Sequence, residues 1–345
     1  MKYNFNVDYR TNWGEALYIT GNIPALGNGD PARALPMSLH DTETWRAEID
    51  TEMPAEGLEY AYIVRHENGS VRHEWGEKRH IVPMPGISRY EFFDRWQDQP
   101  WDKPYYASAF VNCINNRVER QTPVNPVNGM VNLRVSAPMV ASDEVLAICG
   151  EIPVLGEWNP AKALRMSDAA FPEWSVNISL RDVKKPFEYK FLIINRHTGA
   201  VVAWEGRENR RFDLSPFCTD EAMVVGGMRF VNPLQPWRGA GTAIPVFSLR
   251  SNEDFGVGDF YDLFKMVDWA AMTGQKMIQL LPVNDTTMSK TWVDSYPYNS
   301  NSTFALHPMY LRLEAMGQLK DKDRMAWYDE QRKALNALQE IITSK

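Results

Sequence analysis

The sequence is poor in cysteine and contains no long apolar run, and each of these features excludes a class of protein. Its three cysteines, at positions 113, 149 and 218, are odd in number and far apart, so neither a disulfide framework nor a metal knuckle is supported. We expect them to be reduced, buried thiols. No segment approaches the roughly 20 apolar residues needed to cross a bilayer, so no membrane partner is expected.

Positive charge is also scarce. Lys and Arg total 37 against 44 Asp and Glu, which leaves a net charge of −7. Nucleic-acid binding needs clustered positive charge, so we predict no nucleic-acid partner. The six histidines are scattered without ligand spacing, and we predict no metal and no organic cofactor. The first eight residues have no apolar core for export, which favours a cytoplasmic location.

A long internal repeat is present instead. Residues 21–38 recur as residues 150–167 at an offset of 129, with 11 of 18 positions identical, and the register continues as Trp45 aligns with Trp174. This offset exceeds the roughly 20–50 residues of a solenoid unit and has the size of a domain. The chain therefore begins with two copies of one module, and an unrelated segment follows.

Both copies show strand signals. Runs rich in aromatic and β-branched residues alternate with Gly, Pro and Asn turn signals, without a helical period, which favours an all-β antiparallel sandwich. The predicted strands include residues 16–20, 58–64, 145–149 and 187–194. We assign the first module to residues 1–95 and the second to 123–232. Mixed Pro and polar residues at 96–122 predict an inter-domain linker.

Tryptophan is the residue type that differs most usefully between the copies. A flat indole ring covers the C–H face of a sugar at low entropic cost, which makes Trp13 and Trp75 candidate contacts, although a single Trp more often packs in a core. The second copy has Trp158 where the first has Gly29, and Lys190 where it has Ala61. Two extra residues enter the second copy later, so that either His73 or Trp75 aligns with Trp204.

The second copy resembles family 20 starch-binding modules. It carries their Gly-x-Ile-Pro-x-Leu-Gly-x-Trp-Asn-Pro pattern, a later Tyr-Lys-Phe and a closing Trp-Glu-x-x-x-Asn-Arg. The resemblance implies that Trp158 and Trp204 form one platform for an α-1,4-glucan, and that Lys190 bonds to a sugar hydroxyl. It also implies that Glu205 and Asn209 form polar edges of this site.

The first copy departs from this family pattern at the two positions where it has Gly29 and Ala61, so the resemblance does not extend the platform to it. Trp13 occupies the position of a tyrosine in the family's second sugar site, and this implies a further contact. The alternative for the second copy is a pair of structural Trp rings and a solvated Lys.

Residues 233–345 change in character. A strand at 243–249, a Gly-rich loop at 255–258, an apolar-striped helix that Asp259 caps, and a strand at 276–283 predict a βαβ unit. The loop is not a phosphate cradle, because no Gly-Lys-Ser/Thr follows it. Residues 284–286 would then follow a parallel strand, where barrel enzymes hold their sites. A last amphipathic helix is predicted at about 322–343.

This segment resembles the start of family 77 4-α-glucanotransferases, through residues 245–251, 255–259, 281–285 and 294–300. The resemblance implies a (β/α)8 barrel and the retaining transfer of α-1,4-glucan segments among starch, glycogen and maltooligosaccharides. It implies that Tyr298 contacts sugar beside the cleaved bond, with Asp294 and Asp285 as further contacts. The alternative for the two aspartates is capping and hydrogen bonding within loops.

The length of this segment limits the prediction. A closed barrel needs about 200–250 residues, and 107 follow residue 238. No segment matches the motifs of the three carboxylates that the family's mechanism uses. We therefore expect the front portion of a longer enzyme, which binds glucan without transferring it. The alternative is a non-catalytic glucan-binding or scaffold protein, which would not need the substrate-site segment at 292–308.

Overall fold

The computed structural model describes residues 1–52, 56–117, 122–214, 221–317 and 319–343, with side chains in the last helix described up to 335 and at 337. The chain divides into two compact units, Met1–Pro236 and Trp237–Lys345. Cys218 lies outside the described residues. Cys149 is buried as predicted, but the prediction is wrong for Cys113, which is exposed.

The first module is a two-sheet sandwich. One sheet contains β1, β9, β5 and β4, and the other contains β3, β2, β6, β7 and β8. Alternate residues of β1 (Tyr3, Phe5 and Val7) enter the core, where the Phe5 and Phe92 rings stack 5.0 Å apart. Within the described residues its strands are β1 Lys2–Asp8, β2 Glu15–Gly21, β3 Leu35–Pro36, β4 Ser38–Leu39, β5 Thr44–Asp50, β6 Leu58–His66, β7 Val71–His73, β8 Arg79–Ile81 and β9 Arg89–Arg95.

The second module repeats this plan around Trp174 and Phe191, both fully buried. One sheet contains β10, β14, β13 and β18, and the other contains β12, β11, β15, β16 and β17. The predicted sandwich of mainly antiparallel strands is confirmed in both copies. The described strands are β10 Met130–Ser136, β11 Glu144–Gly150, β12 Leu164–Arg165, β13 Ser167–Ala170, β14 Glu173–Ser179, β15 Phe187–Asn195, β16 Val201–Trp204, β17 Arg210–Phe212 and β18 Ala222–Arg229.

One continuous sheet joins the two modules, a feature that the sequence did not indicate. Strand β18 pairs in parallel with β9, which makes an eight-stranded sheet in the order β13-β14-β10-β18-β9-β1-β5-β4. Ala222 and Val224 of β18 belong to the core of the first module, whereas Met223 and Val225 pack with the core of the second. Because successive side chains of a strand point to opposite faces, the two cores lie on opposite faces of this sheet at β18.

The segment that was predicted as a linker is packed against the second module. It forms a short turn at Lys103–Tyr106 and a π-helical turn at Ala109–Ile114. Arg117 is 4% exposed and donates hydrogen bonds to the carbonyl oxygens of Val140 and Ala141, at 3.0 and 2.7 Å. These bonds fix the end of the segment to the sandwich that follows it.

The second unit contains a parallel strand pair. Strand β19 (Gly241–Ile244) pairs with β20 (Met277–Leu280), and helix α1 (Asp262–Met272) connects them. The predicted strand–helix–strand order is observed, but the first strand is shorter than predicted, because the chain turns at Val246–Ser248. Helix α2 spans Lys322–Thr343. A barrel remains a prediction.

Asp259 organises the start of α1. Its Oδ1 accepts hydrogen bonds from the backbone N–H groups of Tyr261 and Asp262 at 2.8 and 3.3 Å, and Arg312 forms an ion pair with it. Across the described residues, no helix has both the length and the apolar character needed to cross a membrane.

Candidate functional site

The rings of Trp158 and Trp204 lie side by side on the second module. Trp158 follows a short turn at Pro153–Leu155, and its backbone N–H donates to the carbonyl oxygen of Gly150 at 2.9 Å. Trp204 ends β16. The ring centroids are 6.5 Å apart, and the ring planes are inclined by 48°. Both rings are half-buried. The pair is therefore an angled platform and not a flat one.

Trp158 has an unusual backbone conformation. Its φ is +62°, and that of Glu157 before it is +52°. A bulky residue is rarely found in this left-handed region, which costs a non-glycine residue about 1–2 kcal/mol. The first module has the same turn, where Asn28 has φ +52° and Gly29 has φ +78°. The fold is thus formed with glycine at this position in one copy, so that the indole of Trp158 is retained despite a conformational cost.

Lys190 shares a sheet face with Trp204. Its neighbours on β15, Tyr189 and Phe191, point into the core and are 5% and 0% exposed. Because side chains alternate along a strand, Lys190 and Leu192 share the other face of β15, where Leu192 is itself 0% exposed. Leu192 is the cross-strand partner of Trp204. The half-buried side chain of Lys190 and the ring of Trp204 therefore lie on one face of the sheet.

Asn209 reaches the same surface through a residue that was not among the predicted contacts. Its Nδ2 donates to Glu188 Oε2 at 2.9 Å. Glu188 is two residues before Lys190 on β15 and therefore shares its face. The alternation along β15 is the signal that would have identified Glu188 from the sequence. Its carboxylate and the Asn209 amide add an acceptor and a donor to the face of β15 that carries Lys190.

Glu205 is not an edge of this site, and that prediction is wrong. Only 2% of the residue is exposed. Its carboxylate accepts from Arg210 Nε and Nη2 at 2.9 and 2.7 Å, and from the backbone N–H of Val231 at 3.1 Å. Buried carboxylates are stable when paired and hydrogen-bonded in this way. Glu205 therefore stabilises the fold.

The first module contains the same ion pair between Glu74 and Arg79. The residues that directly precede these glutamates, His73 before Glu74 and Trp204 before Glu205, are therefore equivalent in the two copies. His73 pairs across the strands with Ile63, as Trp204 pairs with Leu192. His73, and not Trp75, is the counterpart of Trp204.

Trp75 is a packing residue at the junction of the modules. Its ring lies edge-on to Tyr106, with centroids 5.0 Å apart and planes at 83°. The guanidinium carbon of Arg229, which belongs to β18, lies 5.3 Å from the centre of the Trp75 ring. The backbone N–H of Trp75 donates to the carbonyl oxygen of Gln97 at 2.8 Å. These contacts occupy the ring, and we do not include it among the proposed sugar contacts.

Trp13 is fully exposed, at 100%. Asn12 holds its loop by donating from its backbone N–H and its amide to Glu15 Oε2, at 2.8 and 3.2 Å. The backbone bond from Asn12 is the main cause that lowers the pKa of Glu15. The loop thus presents an indole to solvent from an ordered base.

In the second unit, the rings of Tyr298 and Tyr296 are both exposed and lie 5.4 Å apart at 57°. The carboxylate of Asp294 accepts from the backbone N–H groups of residues 288, 289 and 290, at 3.1, 3.1 and 2.6 Å. Asp285 accepts from the N–H of Thr287 at 2.9 Å. Both aspartates therefore make the hydrogen bonds within loops that were the alternative to sugar contacts.

Comparison with known proteins places this architecture in a family. The starch binding domain model matches residues 1–89 and 129–224, more than half of the chain, and the chain therefore belongs to the starch binding domain family. The 4-alpha-glucanotransferase family model, of glycoside hydrolase type 77, matches residues 244–344. Both resemblances that the motifs indicated are confirmed.

Individual relatives agree with this assignment. The 4-alpha-glucanotransferase DPE2 of rice (Oryza sativa subsp. japonica) is 36% identical over 346 residues, which cover 92% of this chain and 36% of the rice protein. The 4-alpha-glucanotransferase of Chlamydia trachomatis is 42% identical over 76 residues, 22% of this chain and 14% of that protein. This chain thus spans about a third of the length of the rice relative.

Among solved structures, the family 20 CBM of the maltotetraose-forming amylase from Pseudomonas saccharophila STB07 is 26% identical. The match covers 29% of this chain and 99% of that one, with a TM-score of 0.25.

Proposed function

We propose that this chain is part of a 4-α-glucanotransferase and that its second module binds α-1,4-glucans such as starch, glycogen and maltooligosaccharides. Trp158, Trp204 and Lys190 are the proposed contacts. The observation that carries the proposal is the backbone of Trp158. A residue that the fold does not need adopts a costly left-handed conformation, and its ring lies 6.5 Å from a second half-buried indole.

The geometry suits a curved polymer. Each indole face covers the C–H face of one glucose unit, which removes apolar surface from water at little entropic cost. An α-1,4-glucan coils, so its successive rings do not lie in one plane, and two indoles inclined by 48° match such a chain better than a flat platform would. Lys190 donates to a hydroxyl group, and the Asn209–Glu188 pair supplies polar atoms at the edge.

The matched residues 244–344 support the proposal that the whole protein transfers α-1,4-glucan segments by a mechanism that retains the configuration of the glycosidic bond. They also support the proposal that β19, α1 and β20 begin a (β/α)8 barrel. Tyr298 is a proposed sugar contact there, and its exposed ring is accessible to a ligand. The alternative, a non-catalytic glucan-binding or scaffold protein, would not need the segment at 292–308. Asp285 and Asp294 hold the surrounding loop in position. That this chain alone does not catalyse transfer, and that it is cytoplasmic, remain predictions.

Calorimetry with maltoheptaose tests the binding site. We expect Trp158→Ala/Trp204→Ala to remove the heat of the main site and nearly to abolish retention on amylose. Trp13→Ala removes a separate proposed contact and weakens retention less. His73→Ala is the matched control, because it changes the first-module counterpart of Trp204, and it leaves affinity unchanged. Unchanged retention of the double variant would refute the platform.

A further inference from the structure

A polar cleft lies on the first module, away from every site described above. It encloses about 700 Å3 against strands β1, β4, β5 and β9. This volume falls within the roughly 300–1,000 Å3 that small-molecule sites occupy. The residues that matter below are Asn4, Asn6, Ser38, Arg46, Arg89 and Glu91.

Strand register places these side chains in rows on one face. Ser38 lies opposite Arg46, Arg46 opposite Asn6, and Asn6 opposite Phe93. In the next row, Asn4 lies between Glu48 and Glu91. Because Tyr3, Phe5 and Val7 alternate with them into the core, the polar rows point away from it.

The centre of the cleft is a buried carboxylate. Glu91 is 8% exposed, although it projects from the non-core face of β9. Its oxygens accept from the side-chain amide of Asn4, from Asn6 Nδ2 at 3.3 Å and from Arg89 Nη2 at 2.9 Å. Burying a carboxylate is unfavourable unless partners surround it, so three donors have been assembled where an exposed residue would have sufficed for folding. This is the arrangement of a preorganised polar site.

Some hydrogen-bonding capacity remains. In the described part of the cleft, Asn4 Oδ1 and Arg89 Nε have no hydrogen-bond partner, but both atoms are buried, so a ligand reaches them only if the side chains around them move. Arg46 is exposed, whereas the half-buried ring of Phe93, in the same row, packs against the core of the second module. The polar groups that a ligand can reach directly are therefore those of the exposed lining residues Ser38, Arg46 and Glu48, which include both donors and acceptors.

The charges in the cleft identify the class of ligand. Arg89 pairs with Glu91 at 2.9 Å and with Glu221 at 3.1 Å, so its single positive charge compensates only one of these two carboxylates. Arg46 and Glu48, at the rim, are of opposite sign. The lining residues therefore carry one excess negative charge, which disfavours an anion, whereas a neutral ligand rich in hydroxyl groups can donate to carboxylates and accept from guanidinium and hydroxyl groups. We propose that this cleft binds a neutral oligosaccharide, and that this is a short α-1,4-glucan segment if the proposed function holds.

The test separates this site from the Trp sites. The chain with Trp13→Ala, Trp158→Ala and Trp204→Ala is titrated with maltotriose while the side-chain amide signals of Asn4 and Asn6 are followed by NMR. We expect both signals to shift with one common, saturable dissociation constant. Adding Ser38→Trp fills the cleft from an exposed edge-strand position, and we expect it to abolish these shifts. Arg46→Ala, a milder change, weakens the binding several-fold.

Two results would overturn the inference. One is that neither amide signal moves up to the solubility limit of maltotriose. The other is that residual binding persists unchanged with Ser38→Trp and Arg46→Ala, which would locate it elsewhere. Failure of the proposed function has a different signature, because it would appear as undiminished glucan binding after Trp158→Ala/Trp204→Ala in the otherwise unchanged chain. Thermal unfolding of each variant confirms that the comparison is made on folded protein.

Discussion

Replacing Trp158 with glycine separates binding from folding. The left-handed backbone at φ +62° costs a non-glycine residue about 1–2 kcal/mol, which glycine relieves. Glycine also frees the unfolded chain, which offsets about 0.4–1 kcal/mol, and the lost contact with the Trp204 ring offsets about 0.5–1.5 kcal/mol. The net change in the free energy of unfolding is therefore within about 1.5 kcal/mol of zero. Truncating a core indole such as Trp174, which is fully buried, costs about 3–5 kcal/mol.

The affinity for maltoheptaose responds differently. Loss of a central aromatic contact costs about 2 kcal/mol or more, which is a weakening of about 30-fold. Calorimetry measures this loss, and hydrogen exchange of the β15 amides measures the stability of the second module by itself. Glu157→Gly is the matched control, because it relieves the same backbone conformation at φ +52° and leaves both rings in place. It is expected to keep full affinity.

The reasoning is refuted if Trp158→Gly destabilises β15 by more than about 2 kcal/mol, since the ring would then have the energetic role of a core residue. It is equally refuted if the affinity stays within twofold of the unchanged chain.

Three further outcomes are expected. The substitutions Gly29→Trp, Ala61→Lys and His73→Trp transplant the platform into the first module and raise the number of maltoheptaose sites measured by calorimetry by one. A Cβ at Gly29 has room, since the nearest atom is Lys78 Nζ at 3.9 Å. An unchanged number of sites would contradict the assigned equivalence of the two copies. Gly227→Val speeds hydrogen exchange in β1 as well as in β18. A Cβ at this position would lie 2.7 and 2.8 Å from backbone atoms of Arg95 on β9, and this clash would separate β18 from β9. An effect confined to the second module would count against the shared sheet. The loop at 288–290 loses protection on acidification: burial raises the pKa of Asp294, but hydrogen bonds from Ser289 and the backbone outweigh it and hold the pKa below its usual value of about 3.9. The stabilising contribution of Asp294 is therefore present above that value and is lost as the pH falls through the lowered pKa. Unchanged protection factors of these amides between pH 7 and pH 2, after correction for the intrinsic exchange rate, would exclude this role.

Local patterns were sufficient to predict the sandwiches. The aromatic and β-branched residues of the run at 187–194 and the turn residues between runs are properties of the chain itself, and the run is observed as β15. The repeat then aligned the two copies through residues that have a structural role in both. The Trp158 position was found because the copies differ there.

Long-range pairing could not be predicted. The pairing of β18 with β9 depends on two strands more than 120 residues apart, and each has the ordinary pattern of a sandwich strand. Glu205 was misassigned for a related reason. Its role depends on Arg210 and Val231, which only the folded chain brings to its carboxylate. The glutamate that does bond to Asn209, Glu188, was missed, although its position two residues before Lys190 on the same strand is a signal that the sequence contains.

Fluorine NMR of the chain labelled with 5-fluorotryptophan tests the central claim most directly. The chain has twelve tryptophans, and Trp→Phe variants assign the signals of Trp158 and Trp204. On addition of maltoheptaose, both signals should shift together and saturate with the dissociation constant that calorimetry gives. Binding heat without movement of either signal would show that the glucan rests elsewhere.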